Sequence, residues 1–236
     1  MPAAWIEGFV QPGRELQNAG NGLLSALGPD NRGSPYDRRA ATYDRLVGNR
    51  LYNRLVWGSC PASYAAFAAT AVADSDGPLL DIGCGSAVFT AGAYRSAGRT
   101  LILVDRSLGM LTRAAERLRG HDLARVAFVQ ADLFDLPFQP GSFTTVACHG
   151  LLHLFDNPAD VFRTLRAQVA PAGSLYATSL VAETAIGGRA LALLHRVGEV
   201  AIPRRERELA AVAEAGLGAC TEVRREGCMV FVTAAT

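Results

Sequence analysis

Beyond residue 77 the apolar residues fall into short unbroken runs, each stopped by an acid, a glycine or a polar turn. The runs are "PLLDIG" (78–83), "TLILVD" (100–105), "RVAFVQAD" (125–132), "FTTVACHG" (143–150) and "GSLYATSLV" (173–181). Between them the apolar positions recur at helical spacing, roughly over 88–97 and then in "SLGMLTRAAERLRG" (107–120), "NPADVFRTLRAQVA" (157–170) and "RRERELAAVAEAG" (204–216). Continuous apolar strands alternating with amphipathic helices predict a parallel sheet covered by helices on both faces. The last stretch breaks this rhythm. "ACTEVRRE" (219–226), Gly227 and "CMVFVTAA" (228–235) read as two adjoining strands, an antiparallel hairpin that finishes the sheet.

Upstream the pattern is different. Residues 1–35 are rich in Gly, Pro and Asn, with one helical candidate near 13–27 and a loop at "GPDNRGSP" (28–35). From Tyr36 to about Ala73 the spacing is helical, interrupted by "GSCP" (58–61), where Pro61 can open a new helix. The expected organisation is a helical cap or lid over 1–76 and a core over 77–236, together one compact domain. A chain of 236 residues suits that size.

Composition narrows the function. Half the residues are hydrophobic and 19% are charged, as in a globular protein. The net charge of +1 gives no electrostatic reason to expect a nucleic-acid partner. The basic clusters "RRA" (38–40) and "PRRERE" (203–208) read as solvated surface. The five cysteines are scattered and form no C-x-x-C pair, which points away from a disulfide framework or structural zinc and fits a reduced, cytoplasmic setting. The first residues lack the basic start and apolar run of a signal peptide. No uncharged apolar segment reaches the roughly 18 residues of a membrane span.

Three successive strands end in acids: Asp81, Asp105 and Asp132. Ligands of open α/β sheets bind at the carboxyl ends of the strands. One such acid alone reads as a helix cap or turn residue, but three in succession point to a site. Gly83 and Gly85 allow a sharp turn and close approach to a ligand. Asp105 follows Gly83 by 22 positions, near the spacing of about 20 at which an acid grips a ribose diol. A dinucleotide fingerprint wants glycine at 88, where Val88 stands. A diphosphate also needs bare amides, and Asp81 brings negative charge to the same mouth. A ligand carrying an ammonium and a sulfonium gains from that charge, so S-adenosylmethionine fits better than a nicotinamide dinucleotide.

In order and spacing the chain resembles the class I S-adenosylmethionine-dependent methyltransferases, particularly the branch of ubiquinone/menaquinone C-methyltransferases and many small-molecule methyltransferases. The resemblance rests on "YDRRAATYD" (36–44), "LLDIGCGSAVF" (79–89), "LVDRSLGML" (103–111), "QADLFDLPFQPGSF" (130–143), "LLHLFDNP" (151–158) and "LRAQVAPAGSL" (165–175). It implies a doubly wound, seven-stranded, mostly parallel sheet in the order 3-2-1-4-5-7-6 with an N-terminal helical cap, and S-adenosylmethionine as cofactor. By position it implies that Arg38 and Tyr43 belong to a segment closing over the donor. Asp81, Gly83 and Gly85, with Cys84 between them, would hold the methionine part. Asp105, followed by Arg106, would take the ribose hydroxyls, with Ser107 and Met110 beside ribose and adenine. Asp132 would accept from the adenine amino group and Leu133 would pack on its ring. His149 would face the sulfonium and the acceptor. Ala87 stands where a third glycine is frequent and is expected to crowd the donor. Thr144 for an acid and "PAGS" for "PGG" read as structural variants.

His149 is the candidate catalytic base, because an oxygen or carbon acceptor must lose a proton and imidazole can take it near neutral pH. His153 lies four residues on, but Gly150 and the strand end argue against a two-ligand helix, and no metal site is expected. His121 reads as a solvated loop residue, His195 as part of an amphipathic lid helix, and Cys148 as a small buried hydrophobe. Trp5, Phe9, Tyr43, Tyr52 and Trp57 either wall an acceptor pocket or pack the cap. The insertion 182–203, with Ile186, Leu191, Leu193, Leu194 and Val197, suggests a small, largely apolar acceptor rather than protein or nucleic acid, or else a homodimer contact. The expected activity is methyl transfer to oxygen or carbon. Its alternatives are an adenosyl-binding module without turnover and, against Val88 and Asp81, an NAD(P)-dependent oxidoreductase.

Overall fold

Three residues in a row, Gly20, Asn21 and Gly22, have positive φ of 90°, 53° and 79°, a run that no right-handed helix can hold. They turn the chain between strand β1 (Gln17–Gly20) and strand β2 (Leu23–Ser25), so the helix expected near 13–27 is an antiparallel strand pair instead. The computed structural model describes residues 4–28, 33, 34, 37, 47–120, 123–218 and 221–235.

Downstream, each apolar run is a strand: β3 (Leu79–Ile82), β4 (Leu101–Asp105), β5 (Val126–Gln130), β6 (Phe143–Cys148) and β7 (Val169–Leu180). β8 (Thr221–Glu226) and β9 (Met229–Ala235) form the expected hairpin. The helices are α1 (Arg50–Trp57), α2 (Pro61–Ala73), α3 (Ala91–Arg95), α4 (Leu108–Leu118), α5 (Pro158–Gln168), α6 (Ala185–Arg196) and α7 (Glu206–Leu217). Local chemistry sets their starts. The Ser107 hydroxyl accepts from the Met110 amide at α4, Asn157 caps α5 ahead of Pro158, and Thr184 caps α6.

The sheet has nine strands rather than seven, in the order β1-β2-β5-β4-β3-β6-β7-β9-β8. Seven of them follow the expected core arrangement. The added pair covers the β5 edge, where Leu23, Leu24 and Ser25 run parallel to Phe128, Val129 and Gln130. An uncovered edge would present free amides and carbonyls, and the Ser25 hydroxyl further ties this join by bonding the Gln130 side chain at 2.9 Å. Alternate residues of each strand face opposite sides. Leu80, Ile82, Ile102 and Val104 meet Val161, Phe162 and Leu165 of α5 and Leu209 and Ala213 of α7. Leu79, Leu101 and Leu103 meet Tyr94 of α3 and Leu111, Ala114 and Leu118 of α4.

α2 lies over the far part of the sheet, where Tyr64, Phe67 and Ala71 pack on Tyr176, Met229 and Phe231. Its end is held by the buried Arg99, whose guanidinium donates to the carbonyls of Ala71, Val72 and Gly77 and to the hydroxyls of Thr144 and Thr145. Thr144 therefore serves a guanidinium without adding a charge.

Candidate functional site

The ends of β3, β4, β5 and β6 surround one cavity of about 540 Å³. After β3 the chain turns through Gly83 and Gly85, at φ 73° and 53°, and through Ala87 at φ 56°. The Gly83 and Cys84 amides both donate to the Val104 carbonyl, at 2.8 and 2.9 Å. That anchors the turn on β4. A Cβ on Gly83 would stand 2.7 Å from a methyl group of Leu151, so the position needs glycine for its conformation and for its neighbour.

Asp105, the last residue of β4, completes the turn. One of its oxygens accepts from the Gly85 amide at 2.8 Å and the other from the Ser107 amide at 2.8 Å. Burial pushes its carboxyl up to about 6, against the pull of those amides. Arg106, Met110, Asp132 and Leu133 line the same cavity. Arg106 forms an ion pair with Asp132, whose second oxygen accepts from the Phe134 amide at 2.9 Å. Ser107 is buried at the start of α4 and holds Asp37 rather than lining the space.

Asp81 is placed differently from the sequence reading. It is fully buried and does not line the cavity. Tyr94 donates to one oxygen at 2.7 Å while the other has no partner among the described residues, and burial pushes the carboxyl up to about 7. The reason is strand alternation: Asp81 shares a face with Leu79, beneath the turn and toward α3. Arg38 and Tyr43 lie outside the described residues, as does His121.

His149 lines the cavity just past β6. Both ring nitrogens are shielded from solvent and have no hydrogen-bond partner among the described residues. Burial pushes its pKa down to about 4, so the ring is neutral at physiological pH. Tyr64 and Phe67 flank it edge-on, with ring centroids 6.4 and 5.9 Å away. His153 instead accepts from the Leu180 amide at 3.5 Å and is absent from the lining. Among the described residues no cluster of three metal-ligating side chains occurs.

Of the two readings of the N-terminal aromatics, packing holds for Trp5, Phe9, Tyr52 and Trp57, while Tyr43 lies outside the described residues. Trp5 donates to the Ala124 carbonyl and packs edge-on to Phe9, which stacks on Phe143. Tyr52 and Trp57 pack against α6. The cavity's aromatic wall comes from Tyr64, Phe89, Phe134 and Phe155. Tyr64 sits 4.9 Å from Phe89 between ring centroids, and its hydroxyl bonds that of Thr178, which accepts from the Gly150 amide. The only signal for Tyr64 was its place three residues after Pro61 in a helix, with Phe67 one turn on. Asp37 was also missed. Its carboxylate accepts from the Ser34 amide, the Ser107 hydroxyl and the Gly109 amide, bonds that outweigh burial and hold its pKa below the usual range. Its Cα would stand 3.0 Å from a Cβ at 109, so Gly109 is what lets the two chains meet.

Residues 80–177, which carry this turn and all three strand-end acids, match the sequence profile of a family described as a methyltransferase domain. This segment has the sequence of a methyltransferase domain. An uncharacterized protein of Synechococcus is 33% identical over 118 residues, 49% of this chain and 28% of that protein. Demethylmenaquinone methyltransferase of Clavibacter sepedonicus is 41% identical over 68 residues, 29% of this chain and 26% of that enzyme. The chain thus spans under a third of these curated relatives. In fold, the chain is similar to phosphoethanolamine N-methyltransferase 2 of Haemonchus contortus in complex with S-adenosyl-L-methionine. There the TM-score is 0.66 at 15% identity, over 85% of this chain and 57% of that one.

Proposed function

We propose that the chain transfers a methyl group from S-adenosylmethionine to a small, largely apolar organic acceptor, at oxygen or carbon. The carrying observation is the meeting of two features in one cavity: a glycine turn closed on Asp105, and a histidine whose ring nitrogens have no partner. The residues fit the donor. Gly83, Cys84 and Gly85 would lie along its methionine part and Asp105 would take the ribose hydroxyls, while Met110 and Leu133 would hold the adenine. Asp132 would share its carboxylate between Arg106 and the adenine amino group. Asp81, one layer below, would favour the donor's cationic end through the turn. When bound, the donor supplies an electrophilic methyl group on a sulfonium.

The protein's own part is alignment and proton removal. Holding the acceptor atom in line with the methyl group accounts for much of the rate of a displacement. His149 is neutral and unpaired, so it can accept the acceptor's proton at one ring nitrogen. The apolar character of the acceptor rests on Tyr64, Phe89, Leu151, Leu154 and Phe155, and on the one arginine in the lining being held by Asp132. The segment before α2, including Arg38 and Tyr43, would close over the donor. The match to demethylmenaquinone methyltransferase supports the ubiquinone/menaquinone branch as kin. A binding module without turnover is the second reading, favoured by the weak basicity that burial gives His149.

Calorimetry and labelled-methyl transfer test these readings together. The expected result is binding of S-adenosylmethionine and S-adenosylhomocysteine, no binding of NADH, and transfer of label to members of an apolar phenol and enol panel. Binding without transfer to any acceptor supports the module. Binding of NADH alone overturns both.

A further inference from the structure

The most exposed large apolar side chains are not scattered. Among the described residues seven stand out, and six belong to one region: Leu51 (64%) and Leu55 (61%) of α1, Ile186 (61%) and Leu193 (62%) of α6, and Val197 (63%) and Ile202 (61%) just beyond it. The seventh, Phe134, lines the cavity. Single exposed apolar residues need no explanation, but a concentration of them marks a surface that meets something.

α1 and α6 pack against each other through Tyr52, Val56 and Trp57 on one side and Ala190, Leu191 and Leu194 on the other. Outward on α6 and its C-cap stand Ile186, Arg189, Leu193, Arg196 and Val197, which recur on one face at helical spacing. Outward on α1 stand Arg50, Leu51, Arg54 and Leu55. A helix on a protein surface ordinarily turns a polar face to water. Here the outward residues are aliphatic or arginine, with His195 the single other polar side chain. Neither helix contains an acid, and none of the four arginines forms an ion pair with a described residue.

We propose that this face docks the protein on an anionic lipid bilayer. Aliphatic side chains interleaved with unpaired guanidinium groups match acyl chains beneath phosphate headgroups. The outward positions carry no tryptophan, tyrosine or phenylalanine anchor, no hydroxyl and no amide, the groups on which protein interfaces usually depend. Among the described residues no single helix is long and apolar enough to cross a membrane, and interfacial docking requires none. The face also leads to the cavity. Val47, before α1, and Gly198 and Glu199, directly after α6, line it. An apolar acceptor dissolved in the bilayer would enter between the ends of the two docked helices.

Co-sedimentation of the full chain with large unilamellar vesicles tests this. Binding to vesicles of phosphatidylcholine mixed with phosphatidylglycerol is expected to be at least roughly tenfold stronger than to phosphatidylcholine alone, and to weaken as sodium chloride is raised. The pair Leu51→Glu and Leu193→Glu, and separately Arg189→Glu with Arg196→Glu, should each lower that binding roughly tenfold or more. All four positions are exposed, so circular dichroism and affinity for S-adenosylhomocysteine should stay as in the parent. Equal binding to both vesicle types overturns the proposal, and so does binding to neither, which is how a face built for an acidic protein would behave. A stable dimer in light scattering that Leu193→Glu dissociates also overturns it, because the face would then belong to a second copy.

Discussion

From Ile82 to Met110 the cavity wall is made by close neighbours in sequence. Gly83 and Cys84 hang on Val104, Gly85 hangs on Asp105, and Asp105 in turn holds Ser107. Across the cavity, Tyr64, the stretch from His149 to Phe155, and Glu199 arrive from three separate parts of the sequence. Their ties are long: Tyr64 meets Thr178 across 114 positions. The first wall is written in backbone amides, glycine conformations and one carboxylate, which fix the geometry of a ligand whatever side chains lie nearby. The second is written in side chains carried on helices, so its specificity can change while the first wall stays the same. On the proposed function, the first wall holds the donor and the second the acceptor.

The largest expected effect separates the two walls. His149→Ala should lower turnover by about a hundredfold or more, within the usual range for a general base, with donor affinity measured by calorimetry nearly unchanged. Because burial holds this histidine near 4, the parent's rate at saturating donor should show no loss near pH 6.5 and should fall only as pH drops toward 4. A parent-like rate in the variant would make His149 structural.

Next comes the donor wall. Asp105→Ala removes charge-assisted bonds worth about 1.5–3 kcal/mol each, so S-adenosylhomocysteine should bind at least roughly tenfold more weakly by titration calorimetry. Unchanged binding would move the ribose elsewhere. The pH dependence is a further check on the same wall. Burial raises Asp105 to about 6 and Asp81 to about 7, and a cationic donor favours their ionised forms. Affinity for S-adenosylmethionine should therefore rise with pH through this window and level off above it, by up to about tenfold per unit for each group. Asp81→Asn should remove the portion near 7.

The two walls also differ in how far the sequence reveals them. Gly83, Gly85, Asp105, Asp132 and His149 are legible because a strand end, a glycine and a spacing of 22 positions already describe the local turn. Asp81 is the exception within that wall. Its place in the motif was plain, yet the two-residue alternation of β3 turns it inward, toward Tyr94. The aromatic wall stayed open between two readings because its members depend on which helix packs over which strand. Tyr64 and Tyr52 look alike along the chain, but α2 carries one to the cavity and α1 carries the other to α6. The alternation of strands and helices gave away the core sheet. The added β1–β2 pair hid behind apolar residues at helical spacing, against which the three left-handed residues at 20–22 prevail.

The smallest effect belongs to Ala87. Its φ of 56° costs an L-residue about 1–2 kcal/mol, and glycine would relieve that while losing about 0.4–1 kcal/mol to the greater freedom of the unfolded chain. Ala87→Gly should raise thermal stability slightly, by about 1–3 °C in calorimetric scans. A loss of stability would mean that the buried methyl packs better than its backbone conformation suggests.

The division into donor and acceptor walls is tested most directly by a crystal structure with S-adenosylhomocysteine bound. The account predicts the ribose hydroxyls within about 3 Å of the Asp105 carboxylate, the adenine against Met110 and Leu133, and the sulfur turned toward His149 and Tyr64. A ligand whose ribose lies away from Asp105, or whose sulfur points away from His149, would contradict it.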